Sequence, residues 1–339
     1  MISIECFKGL PIEYESFLIE KYDSFITTCR YIEVYYPTYD INYMLVYKNN
    51  NLIEILVFGN KGNASTCFNS LVDIEQNIVT EFTQKIFEIY PFIKKIEIVA
   101  SYKNYFLNKS FLIYKSDDHI LDLPSTIDEY YMGLGRSTRD NIRKYKVRLL
   151  RDYPQVKYVY KFGVEIEKYI IDKIIQLHYD RMKRKGIIYK IDNTRNNNYY
   201  KYSQHYGCVT YLEIDGVIVA GCISTVLNKG IFAHVIAHDN NFSKYNVGEV
   251  CMFYLIQTSI EKRMKIFHFL WGENEYKKRF MAKPHLLFSY YIYRTYSLNY
   301  VYDKVKITFT NILISFQHSK FSKPLRNAIK FYRKSNINK

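Results

Sequence analysis

Residues 231–280, IFAHVIAHDNNFSKYNVGEVCMFYLIQTSIEKRMKIFHFLWGENEYKKRF, decide the fold. From Ile231 to Ala237 the chain alternates Phe232, His234 and Ile236 with Ala233, Val235 and Ala237. That is the two-residue period of a strand, with small residues on one side against which a flat molecule fits. After His238 the loop closes on Asn246, Val247 and Gly248, and the spacing of Met252, Leu255, Ile256, Ser259 and Ile260 predicts a helix. A strand, a glycine-closed loop and a helix start together aim unpaired N–H groups outward, which suits an anion such as phosphate. Lys262, Arg263 and Lys265 match the negative end of that helix. A second strand, Ile266 to Leu270, then runs into Trp271, the sole tryptophan.

Upstream, Val209–Ile214 and Val217–Val226 flank Asp215-Gly216, a pair favoured in type I′ hairpins, so antiparallel strands lead into the decisive one. Val156–Phe162 reads as a strand, and Ile166, Ile170, Ile174 and Leu177 predict a helix over Glu165–Arg184, on which His178 reads as a packed histidine. The asparagine-rich Asp192–Lys201 reads as a loop able to cover an acceptor pocket. Ser125 with Asp128, Thr126 with Glu129 and Ser137 with Asp140 each fit a capping box, marking two helix starts. The second of these helices carries Arg136, Arg139, Arg143, Lys144, Lys146, Arg148 and Arg151 against Asp140 and Asp152. Such a run suits an anionic acceptor or carrier, or is a solvated helix face.

Nearer the N-terminus, a leading strand and a short helix are expected within residues 1–30. Strands are expected at Tyr31–Tyr36, Tyr43–Lys48, Leu52–Phe58 and Thr66–Val72, the middle two joined by an Asn49–Asn51 turn. Ile74, Ile78, Phe82, Ile86 and Ile89 recur at helical spacing, and Lys94–Ala100 reads as a strand. Leu286–Tyr296 reads as the last strand. The tail from Asp303 to Lys339 has amphipathic runs and nine Lys/Arg against one Asp, suited to peripheral contact with anionic lipid or to a docked helix with a solvated face.

Composition sets outer bounds. A chain of 339 residues accommodates two lobes, and no apolar run approaches the roughly 18 residues needed to cross a bilayer. The start, MISIECFKGLPIEYE, lacks a secretion pattern, and a cytoplasmic protein is expected. Six dispersed cysteines point to buried thiols, and no metal site is indicated. The net charge of +15 accompanies a Lys-, Asn-, Ile- and Tyr-rich bias and so does not by itself specify a polyanion partner.

Asp239, Val247 with Gly248, Phe267–Leu270 and GENEYKKRF (Gly272–Phe280, with Tyr276, Lys277 and Phe280) resemble, in that order, the acyl-CoA N-acyltransferase (GNAT) superfold. The branch is the two-lobed one of FemAB-like, BioF2-like or CelD-like acetyltransferase domains, and the resemblance reaches upstream to Leu123. It implies an α/β (α+β) GNAT fold, a mixed central sheet flanked by helices, in two tandem GNAT-like lobes. The expected division is residues 1–122, a degenerate GNAT-like lobe that shapes the acceptor site; 123–300, the acyltransferase domain; and 301–339, the basic amphipathic tail. The resemblance further implies acyl-CoA (acetyl-CoA) as co-substrate, lying between two central strands that splay apart. The thioester oxygen would then meet a backbone N–H within Ala233–Ala237, Val235 and Ile236 included, and the pyrophosphate would lie on Asn246, Val247, Gly248 and Glu249. Only Gly248 stands where many relatives have a fuller glycine loop. Lys277 is expected to reach a phosphate or the oxyanion, Tyr276 to protonate the thiolate, and Glu273, Glu275, Asp239 or His234 to act as base. The acceptor would be an amine: an amino-sugar, an envelope precursor or an amino acid. The alternatives are a Fem-like transferase using aminoacyl-tRNA and a non-catalytic polyanion- or membrane-binding protein.

Overall fold

The computed structural model describes residues 2–186, 193–272 and 275–318. Its first half runs β1 (Ile2–Lys8), α1 (Glu15–Tyr22), α2 (Cys29–Tyr35), β2 (Asp40–Lys48), β3 (Asn51–Lys61), β4 (Ala64–Cys67), α3 (Gln76–Ile89), β5 (Lys95–Ser101) and β6 (Ser110–Asp122). Two helices, α4 (Ile127–Gly133) and α5 (Arg136–Asp152), separate it from the second half. There β7 (Lys157–Phe162), α6 (Lys168–Arg184), α7 (Asn193–Tyr206), β8 (Gly207–Ile214), β9 (Val217–Leu227), β10 (Gly230–His238), α8 (Val247–Glu261), β11 (Ile266–His268), α9 (Glu275–Arg279) and β12 (Lys283–Tyr293) lead to a final helix, α10 (Leu298–His318).

One order of elements therefore occurs twice: a strand, two helices, three strands, a helix and a strand. In the first half these are β1 to β5 with α1 to α3; in the second, β7 to β11 with α6 to α8. In each copy the strand after the long helix pairs parallel with the strand before it, β5 with β4 and β11 with β10, and the other strand pairs are antiparallel. These are two GNAT-like lobes in tandem.

The twelve strands among the described residues form one mixed sheet in the order β1-β2-β3-β4-β5-β12-β6-β11-β10-β9-β8-β7. The lobes have exchanged their last strands. β6 follows the first lobe but pairs with β11, while β12 follows the second lobe but pairs with β5. Phe288, Tyr290 and Ile292 of β12 accordingly pack in the core of the first half.

Several segments differ from the sequence expectation: the strand expected at Thr66–Val72 ends at Cys67, and α5 starts at Arg136 after Gly135, so the Ser137–Asp140 pair does not cap it. Tyr31–Tyr36 lies largely within α2, whose start is fixed by Thr28 accepting a hydrogen bond from the Tyr31 N–H. The expected loop at Asp192–Lys201 is α7 from Asn193 on, because Tyr202 buries against the first half and tertiary packing outweighs poor helix propensity. Asp192 itself lies outside the described residues. α8 is buried on nearly all sides, since α4 and α5 cover the face turned away from the sheet.

Candidate active site

The site forms where two strands part. β10 and β11 pair only from Gly230–Phe232 to Ile266–His268, after which β10 continues to His238 while the other chain turns away at Leu270, whose φ is 56°. At the parting, β10 carries a bulge: Ala233 pairs with Ser224 and Val235 with Ile223, leaving His234 as the extra residue. One extra residue reverses the facing of everything after it. Ile231 and Ala233 pack toward α8, whereas Val235 and Ala237 pack against α6. Ile236 and His238 are thereby turned toward the start of α8. The uninterrupted alternation expected from the sequence is broken here, and Ala233, Val235 and Ala237 do not form a common face.

On the α8 side lies a cavity of about 520 Å³ lined by Arg181, Arg184, Lys185, Ile236, His238, Asn246, Gly248, Glu249, Met252, Glu275, Tyr276 and Arg279, among others. Arg181, Arg184 and Lys185 are spaced so that one face of the last turn of α6 presents all three. The Arg181 guanidinium donates to the Ile236 carbonyl at 3.1 Å, tying α6 to β10. Asn246, left-handed at φ 47°, receives the Glu249 and Val250 N–H groups on its carbonyl. Among the described residues no acceptor faces the N–H groups of Val247 and Gly248. A Cβ on Gly248 would lie 2.7 Å from His238 Nδ1, so only glycine lets helix and strand approach this closely.

His238 Nδ1 is buried and has no hydrogen-bond partner among the described residues. Burial, with Arg181, Arg184 and Lys185 nearby, pushes its pKa down to about 4, so the ring is neutral. Glu249 is paired with Arg279. Burial pushes the Tyr276 hydroxyl up to about 12, so it keeps its proton. A cavity with four cations against two carboxylates and a helix start suits an anionic group such as a phosphate.

A second cavity, of about 530 Å³, opens at the bulge and is walled by aromatic rings. Phe25, Tyr31 and Tyr35 come from the first half, Tyr199 and Tyr202 from α7, and Phe269 and Trp271 from the segment after β11; Arg195, Ser224, Thr225 and His234 supply polar atoms. His234 Nε2 lies 2.7 Å from Thr225 Oγ1, its ring meets Phe25 edge-on at 4.7 Å, and burial pushes its pKa down to about 4. Under the parting point, His268 Nδ1 lies 2.7 Å from Asp118 Oδ2, which also accepts from the Tyr102 hydroxyl at 2.8 Å, and the His268 ring stacks on Phe232 at 4.3 Å.

The residues singled out from the sequence are distributed unevenly over this geometry. Ile236, Asn246, Gly248, Glu249, Glu275 and Tyr276 line the basic cavity and His234 the aromatic one, while Val235 and Val247 are core residues. Asp239 caps the turn after β10, accepting from the Asn241 N–H at 2.9 Å, and lines neither cavity. Lys277 is 2% exposed and donates to the carbonyls of Leu270 at 2.7 Å and Trp271 at 3.1 Å; it too lines neither cavity. Burial lowers its pKa to about 8, opposed by Asp118 and Asp117. Glu273 lies outside the described residues. Sequence reading missed Arg181, Arg184, Lys185, His238 and the whole aromatic cavity. The i, i+3, i+4 spacing of the three cations was the one local signal for any of them.

Among the described residues no group of His, Cys, Asp and Glu is arranged to hold a metal ion, and no helix is long and apolar enough to cross a membrane. Residues 136–278 match the family model of the acetyltransferase (GNAT) domain. The structure is similar to that of a FemX protein, with a TM-score of 0.62 at 9% identity over 85% of this chain and 97% of that one. It is also similar to a conserved protein of unknown function from Bacteroides thetaiotaomicron, with a TM-score of 0.54 at 12% identity over 86% of this chain and 99% of that one. At these identities the likeness is one of fold. No curated protein matches by sequence. With its duplicated topology and its parting parallel strands, the chain has a GNAT-type fold, and residues 136–278 are similar to the acetyltransferase (GNAT) domain.

Proposed function

We propose that the chain is an N-acyltransferase moving an acyl group from acyl-CoA to an amine held in the aromatic cavity. The observation that carries this reading is the parting of β10 and β11 at the His234 bulge, where β10 lends Ala233 and His234 to the aromatic cavity and Ile236 and His238 to the basic one. Acyl-CoA would supply the thioester. Val247 and Gly248 N–H, Arg181, Arg184 and Lys185 would hold its phosphates. As the amine nitrogen bonds to the acyl carbon and the carbon–sulfur bond breaks, a strand N–H freed at the bulge would stabilise the oxyanion. The Tyr276 hydroxyl is less acidic than a thiol, so it would stabilise the departing thiolate by donating a hydrogen bond rather than by giving up its proton. His234 is neutral and a weak base, so the amine would react from its unprotonated fraction. In this reading residues 123–300 perform the transfer, and residues 1–122 supply the acceptor wall through Phe25, Tyr31 and Tyr35. At the equivalent helix start of the first lobe, Asp73 and Glu75 stand where phosphate would need N–H groups and cations.

A second reading, aminoacyl-tRNA as donor, is favoured by one observation. The arginine-rich α5 lies against α8 and the 240–245 turn, with an Arg148 guanidinium nitrogen 3.0 Å from the Lys244 carbonyl, beside the basic cavity. Thermal denaturation with CoA and acetyl-CoA separates the two. At 100 times its dissociation constant, a ligand adds about 2.7 kcal/mol, a shift of several degrees. Acyl-CoA use predicts that shift, reduced by Arg184→Glu with Lys185→Glu and unaffected by Arg143→Glu with Arg151→Glu. No shift with either compound, together with tRNA binding that fails in the α5 variant, would overturn the acyl-CoA reading in favour of the second.

A further inference from the structure

The final helix, α10, spans 21 residues, about 31 Å at the usual rise, and among its described side chains Tyr300 and Asp303 hold it to the molecule along one side. There Tyr300 packs edge-on against Tyr293 at 5.3 Å and Phe111 at 5.5 Å. Asp303, the sole acid of the helix, accepts from the Tyr293 hydroxyl and pairs with Lys95 at 3.2 Å. Leu298, Val301, Tyr302, Val305 and Phe309 are 53–89% exposed. At 100° per residue these five fall within an arc of about 100° centred opposite the docked side. In the sequence the same three-and-four spacing continues through Ile312, Leu313 and Phe316. A helix anchored on one face normally turns polar residues outward; this one turns an apolar stripe.

The charge of the chain next to the stripe indicates the occupant. Residues 319–339 carry seven Lys/Arg and no Asp or Glu, Lys304 is exposed on the helix itself, and the chain as a whole is at +15. An apolar stripe joined to a cationic segment is the pattern of a helix lying in a membrane interface, with its apolar side in the headgroup–acyl boundary and the cations on anionic headgroups. A second protein copy would bring the same seven cations together and be repelled. We propose that α10 docks this protein peripherally on an anionic lipid bilayer, without crossing it.

The test is co-sedimentation of the full-length protein with vesicles of phosphatidylcholine alone or mixed equally with phosphatidylglycerol. Partition into the mixed vesicles should exceed that into phosphatidylcholine by about tenfold or more and fall with added salt. Val301→Glu with Val305→Glu should lower it by about tenfold while leaving the circular dichroism spectrum and melting temperature unchanged, since neither side chain is packed. Three results would overturn the proposal: no partition of the full chain into anionic vesicles; equal partition of the variant, which would leave the attraction to the tail cations alone; or a dimer in sedimentation equilibrium that the variant dissolves, which would make the stripe an interface between copies.

Discussion

His234 and His238 stand two residues either side of Ile236 on one strand, yet they belong to different cavities, because His234 is itself the extra residue of the bulge, after which the facing of the strand is reversed. Both are kept neutral, chiefly by burial. A histidine whose folded pKa is depressed from the usual value near 6.5 contributes stability that is whole above that pH and is lost as pH falls toward 4. For the buried His234 ring, the loss between pH 7 and pH 5 is on the order of 2 kcal/mol; that of His238 is smaller because solvent screens part of it. His234→Gln retains a hydrogen-bonding partner for Thr225 and does not titrate. Its unfolding free energy, measured in urea at the two pH values, should fall by about 2 kcal/mol less than that of the unaltered protein. Parallel curves would show that His234 is already protonated, or freely solvated, in the folded state.

The element that sets the geometry of both cavities is the short connection from β11 to α9. Leu270 is left-handed, and the buried Lys277 ammonium fastens the carbonyls of Leu270 and Trp271. Those two residues edge the aromatic cavity. Lys277→Met should therefore leave CoA affinity within about twofold, as Lys277 makes no contact with the basic cavity, while lowering kcat by about tenfold through a displaced acceptor wall. Calorimetric CoA titration alongside steady-state kinetics reads the two separately; a large loss of CoA affinity would return Lys277 to the phosphate. The sequence motif singled out Lys277 to reach a phosphate or the oxyanion, but it could not say which atoms the ammonium meets. That depends on a kink at Leu270 that no local pattern announces. The hairpin at Asp215-Gly216 was legible because a two-residue turn dictates its own backbone, here φ 51° and 76°. The bulge was not, because an inserted strand residue is defined only by its partner strand, and α2 was misread because tyrosine and β-branched residues favour strands unless a cap and tertiary packing intervene.

At the scale of the molecule, composition and the order of elements indicated two lobes, and the structure has them; what local periodicity does not contain is the exchange of β6 and β12. Register between strands nearly 200 residues apart is a property of the assembled sheet. The exchange has a mechanical consequence. A cut at 122/123, the boundary that the family resemblance implies, separates β6 from both of its partners, β11 and β12, and removes β5 from β12. A fragment of residues 123–318 would expose the edge of the very strand pair that parts to form the site, along with the inward rows of β12. It should fail to fold alone, giving a weak near-ultraviolet circular dichroism signal and no cooperative melt. The two fragments co-expressed should restore both, because the missing contacts are non-covalent. The full chain should unfold in a single transition, as each lobe's core contains a strand of the other. If residues 123–318 instead melted cooperatively and bound acetyl-CoA unaided, the strand exchange would be decorative and the first lobe dispensable for the site. The aromatic cavity argues against that outcome, since Phe25, Tyr31 and Tyr35 form its far wall and leave with the first fragment.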